Sequence, residues 1–314
     1  MVELSHIREA RENIRSILHL TPVFSSRYLS ERSGAEVWLK AELFQKTGSF
    51  KPRGAINRLK HLSPEEKARG IVSVSAGNHA QAVAFAAARE GISCVVVMPS
   101  TAPQNKLSAT RNYGAEVVLH DDLRTIFERT EEVRQSRNAT FVHPYDDPDV
   151  IAGQGTVGLE VCEQIPGADI VVAGIGGGAL LAGIAVACKS LNPQVRVIGV
   201  EPEGAAGMTL ALREGKPVRL QQISTVADGL AAPYAGAASL ELVRRYVDDV
   251  VLVTDDQILD ACRILLERAK LLAEPAGAAC AAALLSGKID AAGRKVALVV
   301  SGGNLDLGRL KSYL

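Results

Sequence analysis

Four short stretches of this chain combine reactive side chains with glycine in ways that could do chemistry. In Gly48-Ser49-Phe50-Lys51-Pro52-Arg53-Gly54-Ala55 a lysine stands beside an aromatic ring among small residues. A lysine partly withdrawn from water is more readily a neutral nucleophile, although taken alone it reads first as an exposed structural residue. In Ser73-Val74-Ser75-Ala76-Gly77-Asn78-His79-Ala80 a strand gives way to a helix. There Ser75, Asn78 and the free amides of the first helical turn form a nest for a carboxylate, with plain helix capping as the competing role. Gly174-Ile175-Gly176-Gly177-Gly178-Ala179 lies between a β-branched run and an apolar helical run. Amides in such a turn converge, no Cβ keeps a phosphate away, and the helix dipole favours an anion. Tight strand–helix packing is the plainer role. Val300-Ser301-Gly302-Gly303-Asn304 ends the last apolar run, where ordinary turn chemistry competes with ligand binding.

The glycine turn alone has two anion readings. Gly174-x-Gly176-x-x-Ala179 satisfies the dinucleotide fingerprint, and Glu201 ends the next strand where a ribose contact would fall. That would make a nicotinamide oxidoreductase. Against it, the unit begins past the middle of the chain, and the three-glycine run opens more backbone than a pyrophosphate crossing needs. His143, Asp146 and Asp147 mimic a metal cluster, but Pro144 and Pro148 make a rigid loop the better reading.

These stretches need a frame. Ile7, Ala10, Ile14 and Leu18 share one face of a helix expected over 5–18, and Val37–Leu39 reads as a strand. Ser63-Pro64-Glu65-Glu66 is a capping-box start and Gly70 a stop. β-branched runs at Ile71, Cys94 and Ala115 alternate with helical segments near Ala80–Glu90 and Gln104–Tyr113. The charged stretch Arg124–Arg137 reads as a solvated helix face. Further strands are expected at Asp169, Val195, Asp249 and Lys295. Such alternation marks βαβ units: a doubly wound α/β fold in two lobes, each an open, mostly parallel sheet. Ligands of open sheets collect at the C-terminal strand ends, so the turn motifs should converge on one crevice.

Composition narrows the function. The 314 residues suit two domains, and 35 basic against 35 acidic side chains give no net charge. Without a basic excess, and with 4% aromatics, nucleic-acid binding is not expected. The 5 cysteines (Cys94, Cys162, Cys188, Cys262, Cys280) form no C-x-x-C pair, which fits a reducing, cytoplasmic setting. The charged N-terminus lacks a signal-peptide core. The 19 uncharged residues from Ile170 to Cys188 could cross a bilayer, but five are glycine; strand, turn and buried helix is the expectation, with no membrane partner.

GSFKPRGA at 48–55, SAGNHAQ at 75–81, GGGALLAG at 176–183 and SGGN at 301–304 fall in order, with DDPDVIAGQGT at 146–156 and LLAEPAGAA at 271–279 between them. Together, over nearly the whole chain, they resemble the fold type II pyridoxal-phosphate enzymes, in the threonine/serine dehydratase and serine racemase branch. The resemblance implies a large cofactor-binding domain of residues 1–69 and 147–314 and a small one of 70–146 carrying the asparagine loop. It implies that Lys51 joins the aldehyde of pyridoxal 5′-phosphate, that Phe50 lies near the ring, and that Asn78 bonds the phenolic oxygen. The amides of Gly176, Gly177, Gly178, Ala179 and Leu180 take the phosphate. Ser301 meets the ring nitrogen, with Gly229 and Glu274 close by. Ser75, Ala76, Gly77, Asn78 and His79 hold the substrate carboxylate.

The implied reaction is removal of water from a small β-hydroxy amino acid, L-threonine or L-serine, giving a product that leaves as an imine and hydrolyses to a 2-oxo acid and ammonia. Lys51 takes the α-proton, and Ser301 leaves the ring less electron-withdrawing than a carboxylate would, which favours prompt loss of the hydroxyl. Racemases of the branch place a serine where Ala76 stands, so dehydratase is expected over racemase. Ala179 replaces a fourth glycine. A divalent or monovalent cation at Glu201 and Ala205 is in doubt because Gly207 replaces a carboxylate. With ten residues after Asn304, no C-terminal regulatory domain is expected. A homodimer or homotetramer is implied by the family. The alternatives are a serine racemase, a 3-hydroxyaspartate dehydratase, a non-catalytic binding relative and, remotely, the oxidoreductase.

Overall fold

β-branched runs too short for helices and buried on both faces make parallel strands that need helices on either side. In the computed structural model, which describes residues 1–310, such runs build two sheets. The larger has six strands in the order β1-β2-β10-β7-β8-β9. These are β1 (Val23–Ser25), β2 (Glu36–Ala41), β7 (Ile170–Gly174), β8 (Arg196–Pro202), β9 (Asp249–Val253) and β10 (Lys295–Val300). The smaller has four strands in the order β5-β4-β3-β6, formed by β3 (Ile71–Val74), β4 (Cys94–Pro99), β5 (Glu116–His120) and β6 (Thr140–Phe141). All pairings are parallel except β1 with β2.

Side chains alternate between the faces of each sheet. Val171 and Ala173 of β7 join the apolar cluster with the helices Pro148–Gln164 and Ala179–Leu191, while Ile170 and Val172 join the opposite cluster with the helix Pro275–Leu285. The span Ile170–Cys188 is thus strand, turn and helix, with every residue from Ala179 to Cys188 buried. Among the described residues no helix is long and apolar enough to cross a membrane.

The first helix is shorter than its periodicity predicts. It spans Leu4–Ile14, after which the amides of Ile17 and Leu18 both turn back onto the Ile14 carbonyl, and Leu18 stays buried beyond the helix. Helices Pro64–Arg69 (with its Ser63 capping box), Gln104–Asn112 and Ile126–Arg137 lie where expected.

The helix Pro52–Lys60, which starts immediately after Lys51, is held from two sides. Its Ala55, Ile56 and Leu59 pack with Val83, Ala87 and Met98 beside the four-stranded sheet. On its other side it crosses Pro148–Gln164 in backbone contact: a Cβ on Gly153 would lie 2.5 Å from the Arg53 carbonyl oxygen. Beneath the crossing, fully buried Arg53 forks onto Glu42 (2.8 Å twice) and Glu160 (2.6 and 2.8 Å), with Lys40 2.6 Å from Glu160. Two cations and two carboxylates cancel. Such a buried network gains little over apolar packing, but losing one member strands a charge, so it fixes the register of the lysine-bearing helix.

Candidate active site

Lys51 sits at the start of its helix with Pro52 in the first turn, on a loop laid against the end of β10. Ser49, extended and fully buried, bridges Gly302. The Phe50 amide donates to the Ser301 carbonyl at 3.1 Å, and the Gly303 amide to the Gly48 carbonyl at 2.9 Å. The first and fourth motifs, some 250 residues apart in sequence, therefore zip together backbone to backbone. Asn304 joins the third party: its Nδ2 donates to the Thr47 carbonyl at 2.7 Å and to Asn78 Oδ1 at 2.9 Å. Asn78 in turn donates its own Nδ2 to Glu274 Oε1.

One cavity with about 470 Å³ of empty space gathers every residue assigned above to the cofactor. Phe50, Lys51, Asn78, Gly229, Glu274 and Ser301 line it, facing Gly176, Gly177, Gly178, Ala179 and Leu180. The Lys51 ammonium makes one hydrogen bond, to the Pro144 carbonyl at 3.4 Å, and lies 5.1 Å from the centre of the Phe50 ring. Burial lowers its pKa to about 8, against the pull of Glu274. The amides of Gly176, Gly177 and Gly178 find no acceptor among the described residues. Gly178 has φ +103° and opens the helix Ala179–Leu191. Unpaired amides at a helix start are an anion site. Among the described residues Ser301 Oγ has only a long bond, 3.4 Å, to the Ala276 carbonyl, leaving it free to turn toward the cavity.

A second, wider cavity with about 1850 Å³ of empty space adjoins the first at Lys51, Asn78 and Tyr145. Ser75, Ala76, Gly77, Asn78 and His79 form one wall of it. The helix begins at Asn78, and Ser75 Oγ accepts from the Gly77 amide at 3.1 Å. His79 is turned inward. Ser73 gives its proton to the Val142 carbonyl (2.7 Å), so His79 Nε2 donates to Ser73 Oγ (3.1 Å), leaving Nδ1 buried and unprotonated. Burial, reinforced by the charges of Lys51 and His143, holds the imidazole neutral, well below the usual histidine range.

Glu201 is fully buried and lines neither cavity. Its oxygens accept from the amides of Met208 (2.6 Å) and Thr209 (2.9 Å) and from the Thr209 hydroxyl (2.7 Å), at the start of the helix Gly207–Glu214. Ala205 is buried in the turn before it. Both oxygens of Glu201 thus serve the start of that helix, and no group of three or more His, Cys, Asp or Glu side chains that could hold a metal ion occurs among the described residues. The His143–Pro148 loop is rigid for a different reason: His143 Nδ1 accepts from the amides of Tyr145 (3.2 Å) and Asp146 (2.8 Å), and Asp147 caps the next helix.

That loop also supplies the residue sequence reasoning missed. Tyr145, 6% exposed, lines both cavities, and Pro144 accepts from Lys51. The only sequence signal was an aromatic between two prolines. Lys106 and Asp228, also in the wider cavity's wall, were missed as well.

The comparisons agree with this geometry. Maize serine racemase superposes with a TM-score of 0.95 at 38% identity, covering 99% of this chain and 96% of that one. A threonine deaminase from T.th. gives 0.91 at 39%, covering 97% and 99%. The L-threonine ammonia-lyase of Thermotoga maritima is 47% identical over 311 residues, 99% of this chain and 77% of the relative. The catabolic L-threonine dehydratase TdcB of Escherichia coli K12 is 46% identical over 312 residues, covering 98% and 95%. Residues 14–302 match the family described as pyridoxal-phosphate dependent enzyme, and with a site of this shape inside that span the chain belongs to the pyridoxal-phosphate-dependent enzymes.

Proposed function

We propose that this chain is a pyridoxal-phosphate-dependent ammonia-lyase that removes water from L-threonine and L-serine, the released enamine then taking up water to give a 2-oxo acid and ammonia. The observation that carries it is the single cavity uniting Lys51 with the glycine turn, Ser301 and the asparagine loop. The residues fit the cofactor: three amides without acceptors suit its phosphate, Ser301 Oγ its ring nitrogen, Asn78 its phenolic oxygen, and the Phe50 ring its flank. When bound, pyridoxal phosphate supplies an electron sink for charge developing at the substrate α-carbon.

The chain does the rest. With its pKa lowered to about 8, Lys51 gives up its proton more readily than an ordinary lysine, and its neutral amine takes the α-proton. Ser75, the amides at the start of the helix Asn78–Glu90 and Asn78 hold the carboxylate, His79 backing them as a neutral ring. Ala76 has no proton to give, so the face it lines favours elimination over racemisation. Ile126, Phe127, Ala231 and Ala232 make that cavity apolar enough for a β-methyl, and its Arg124 is committed to Asp122 (3.0 Å). Arg219, exposed on the same wall, favours a second reading, a 3-hydroxyaspartate dehydratase.

The reading includes two lobes, 1–69 with 147–314 and 70–146, and a cytoplasmic homodimer or homotetramer. Exposed Leu20 (66%), Phe24 (41%) and Phe44 (48%) support an apolar contact with a second copy. The test is release of ammonia and 2-oxo acid from L-threonine, L-serine and 3-hydroxyaspartate by protein supplied with pyridoxal phosphate. Release from L-threonine upholds the proposal, and release from 3-hydroxyaspartate alone replaces it with the second reading.

A further inference from the structure

Lys106 is a lysine where a lysine is expensive. It lies on the helix Gln104–Asn112, beside the four-stranded sheet, and its side chain is 3% exposed. Its Nζ reaches across the cleft to Asp228 Oδ2 at 2.7 Å and Glu274 Oε2 at 3.5 Å. Both acids stand on segments that pack with the six-stranded sheet, through Ala227 and Leu230 in one case and Ala273 and Ala276 in the other. Its stem runs under the asparagine loop, where a Cβ on Gly77 would lie 3.1 Å from Cδ and 3.3 Å from Nζ.

The other oxygen of Glu274 accepts from Asn78, and Asn78 is bound by Asn304, which holds the Thr47 carbonyl ahead of Lys51. Contacts therefore run without a break from the small sheet's helix to the loop of the reactive lysine. Asp228 is partly open to solvent, but the Lys106–Glu274 pair is buried. A buried ion pair adds little to stability compared with apolar residues of the same shape, so its presence in a cavity wall calls for a positional role. We propose that Lys106 is a positioning residue: by spanning the cleft to Asp228 and Glu274, it holds the Glu274 carboxylate against the Asn78 amide and beside Lys51.

The charged and titratable groups facing Glu274 are Lys106, Asp228, Lys51 and the Cys262 thiol. Burial raises the Glu274 pKa; Lys106 opposes that and Asp228 adds to it. Burial pulls the Lys106 ammonium down, and Glu274 with Asp228 more than offsets it. Removing Lys106 therefore lets Glu274 take a proton at higher pH, and removing the charge of Asp228 does the reverse.

This inference rests on the ammonia-lyase reading, and one of its two readouts does not. In Lys106→Met, kcat/KM for L-threonine falls on the order of 100-fold. Both Glu274 oxygens accept from donors, Asn78 and Lys106, an arrangement its carboxylate form serves. The acidic limb of the pH profile therefore follows Glu274 and moves up by about one pH unit in Lys106→Met. Lys106→Arg returns the limb, and Asp228→Asn moves it down. In cofactor-free protein, the amides of 81–84, hydrogen-bonded in the first full turn of the helix Asn78–Glu90, exchange with deuterium about tenfold faster in Lys106→Met, while those of β7 do not change. An unmoved limb in Lys106→Met, limbs moving the same way in Lys106→Met and Asp228→Asn, or unchanged exchange at 81–84 overturns the proposal. Should Lys106→Met not fold, the Asp228→Asn limb decides alone. A wild-type protein inactive on every amino acid offered sinks the ammonia-lyase reading instead, and the exchange result still judges Lys106.

Discussion

The ring of Tyr145 occupies the space a side chain on Gly177 would need: a Cβ built there would come within 2.0 Å of the ring. The middle glycine of the turn is thus required by a neighbour as well as by the ligand it faces, and the turn's outer wall is aromatic. Gly177→Ala must push the ring aside or distort the turn. Overpacking of this kind costs about 1–3 kcal/mol, so pyridoxal phosphate should bind roughly 10- to 100-fold more weakly. Absorbance titration of the cofactor-free protein measures it, and unchanged affinity would mean the turn does not hold the phosphate.

Lys51 should be a liability until the cofactor arrives. Its pKa in the folded chain is about 8, below the ordinary lysine value of 10.5, so between those values the unfolded chain binds more protons than the folded one. Stability from this group therefore rises as pH climbs from about 8 toward 10.5 and is lowest at neutral pH. Cofactor-free Lys51→Met should be more stable than wild type at pH 7, by up to about 2 kcal/mol, and the gap should close by pH 10. Urea unfolding at the two pH values is the check.

Much of this site was legible from residue types. β4 is a continuous β-branched run, buried on both faces, and only a parallel central strand looks like that. The glycine turn and the SGGN stretch are visible because backbone amides do the work and glycine advertises them. β1 and β6 were not legible, being edge strands of 3 and 2 residues, too short for any periodicity. Lys106 was not legible for another reason. Among Gln104, Asn105 and Arg111 it looks like any solvated helix lysine, and only Asp228 and Glu274, more than a hundred residues away, bury it. Tyr145 likewise acquires its place only when Gly177 is folded against it.

Glu201 predicts indifference to metals. Its oxygens accept from Met208 and Thr209 at the start of the helix that follows, a role that needs no cation. A chelator should leave turnover and Tm unchanged, as should added magnesium or calcium. Glu201→Ala should cost about 1–2 kcal/mol through loss of the cap. Activity that disappears with chelator and returns with a cation would contradict this reading.

Ala76 offers the reverse experiment. It lies on the cavity wall beside Ser75, exposed to the space where substrate would sit. Ala76→Ser adds a hydroxyl that can give a proton to the face opposite Lys51. D-serine should then form from L-serine at several times the wild-type rate, with elimination continuing. Chiral chromatography of the products reads both at once, and no rise in D-serine would show that position 76 does not decide between the two outcomes.

The central claim is that Lys51, in the cavity it shares with the glycine turn and Ser301, drives loss of the β-hydroxyl from L-threonine, after which hydrolysis of the released enamine frees ammonia. The most direct measurement is product stoichiometry from L-threonine for wild type and Lys51→Ala, each supplied with pyridoxal phosphate. The account predicts 2-oxobutanoate and ammonia in equal amounts from wild type and neither from Lys51→Ala. Equal turnover by the two proteins, or a wild type that binds the cofactor yet releases no ammonia, would contradict it.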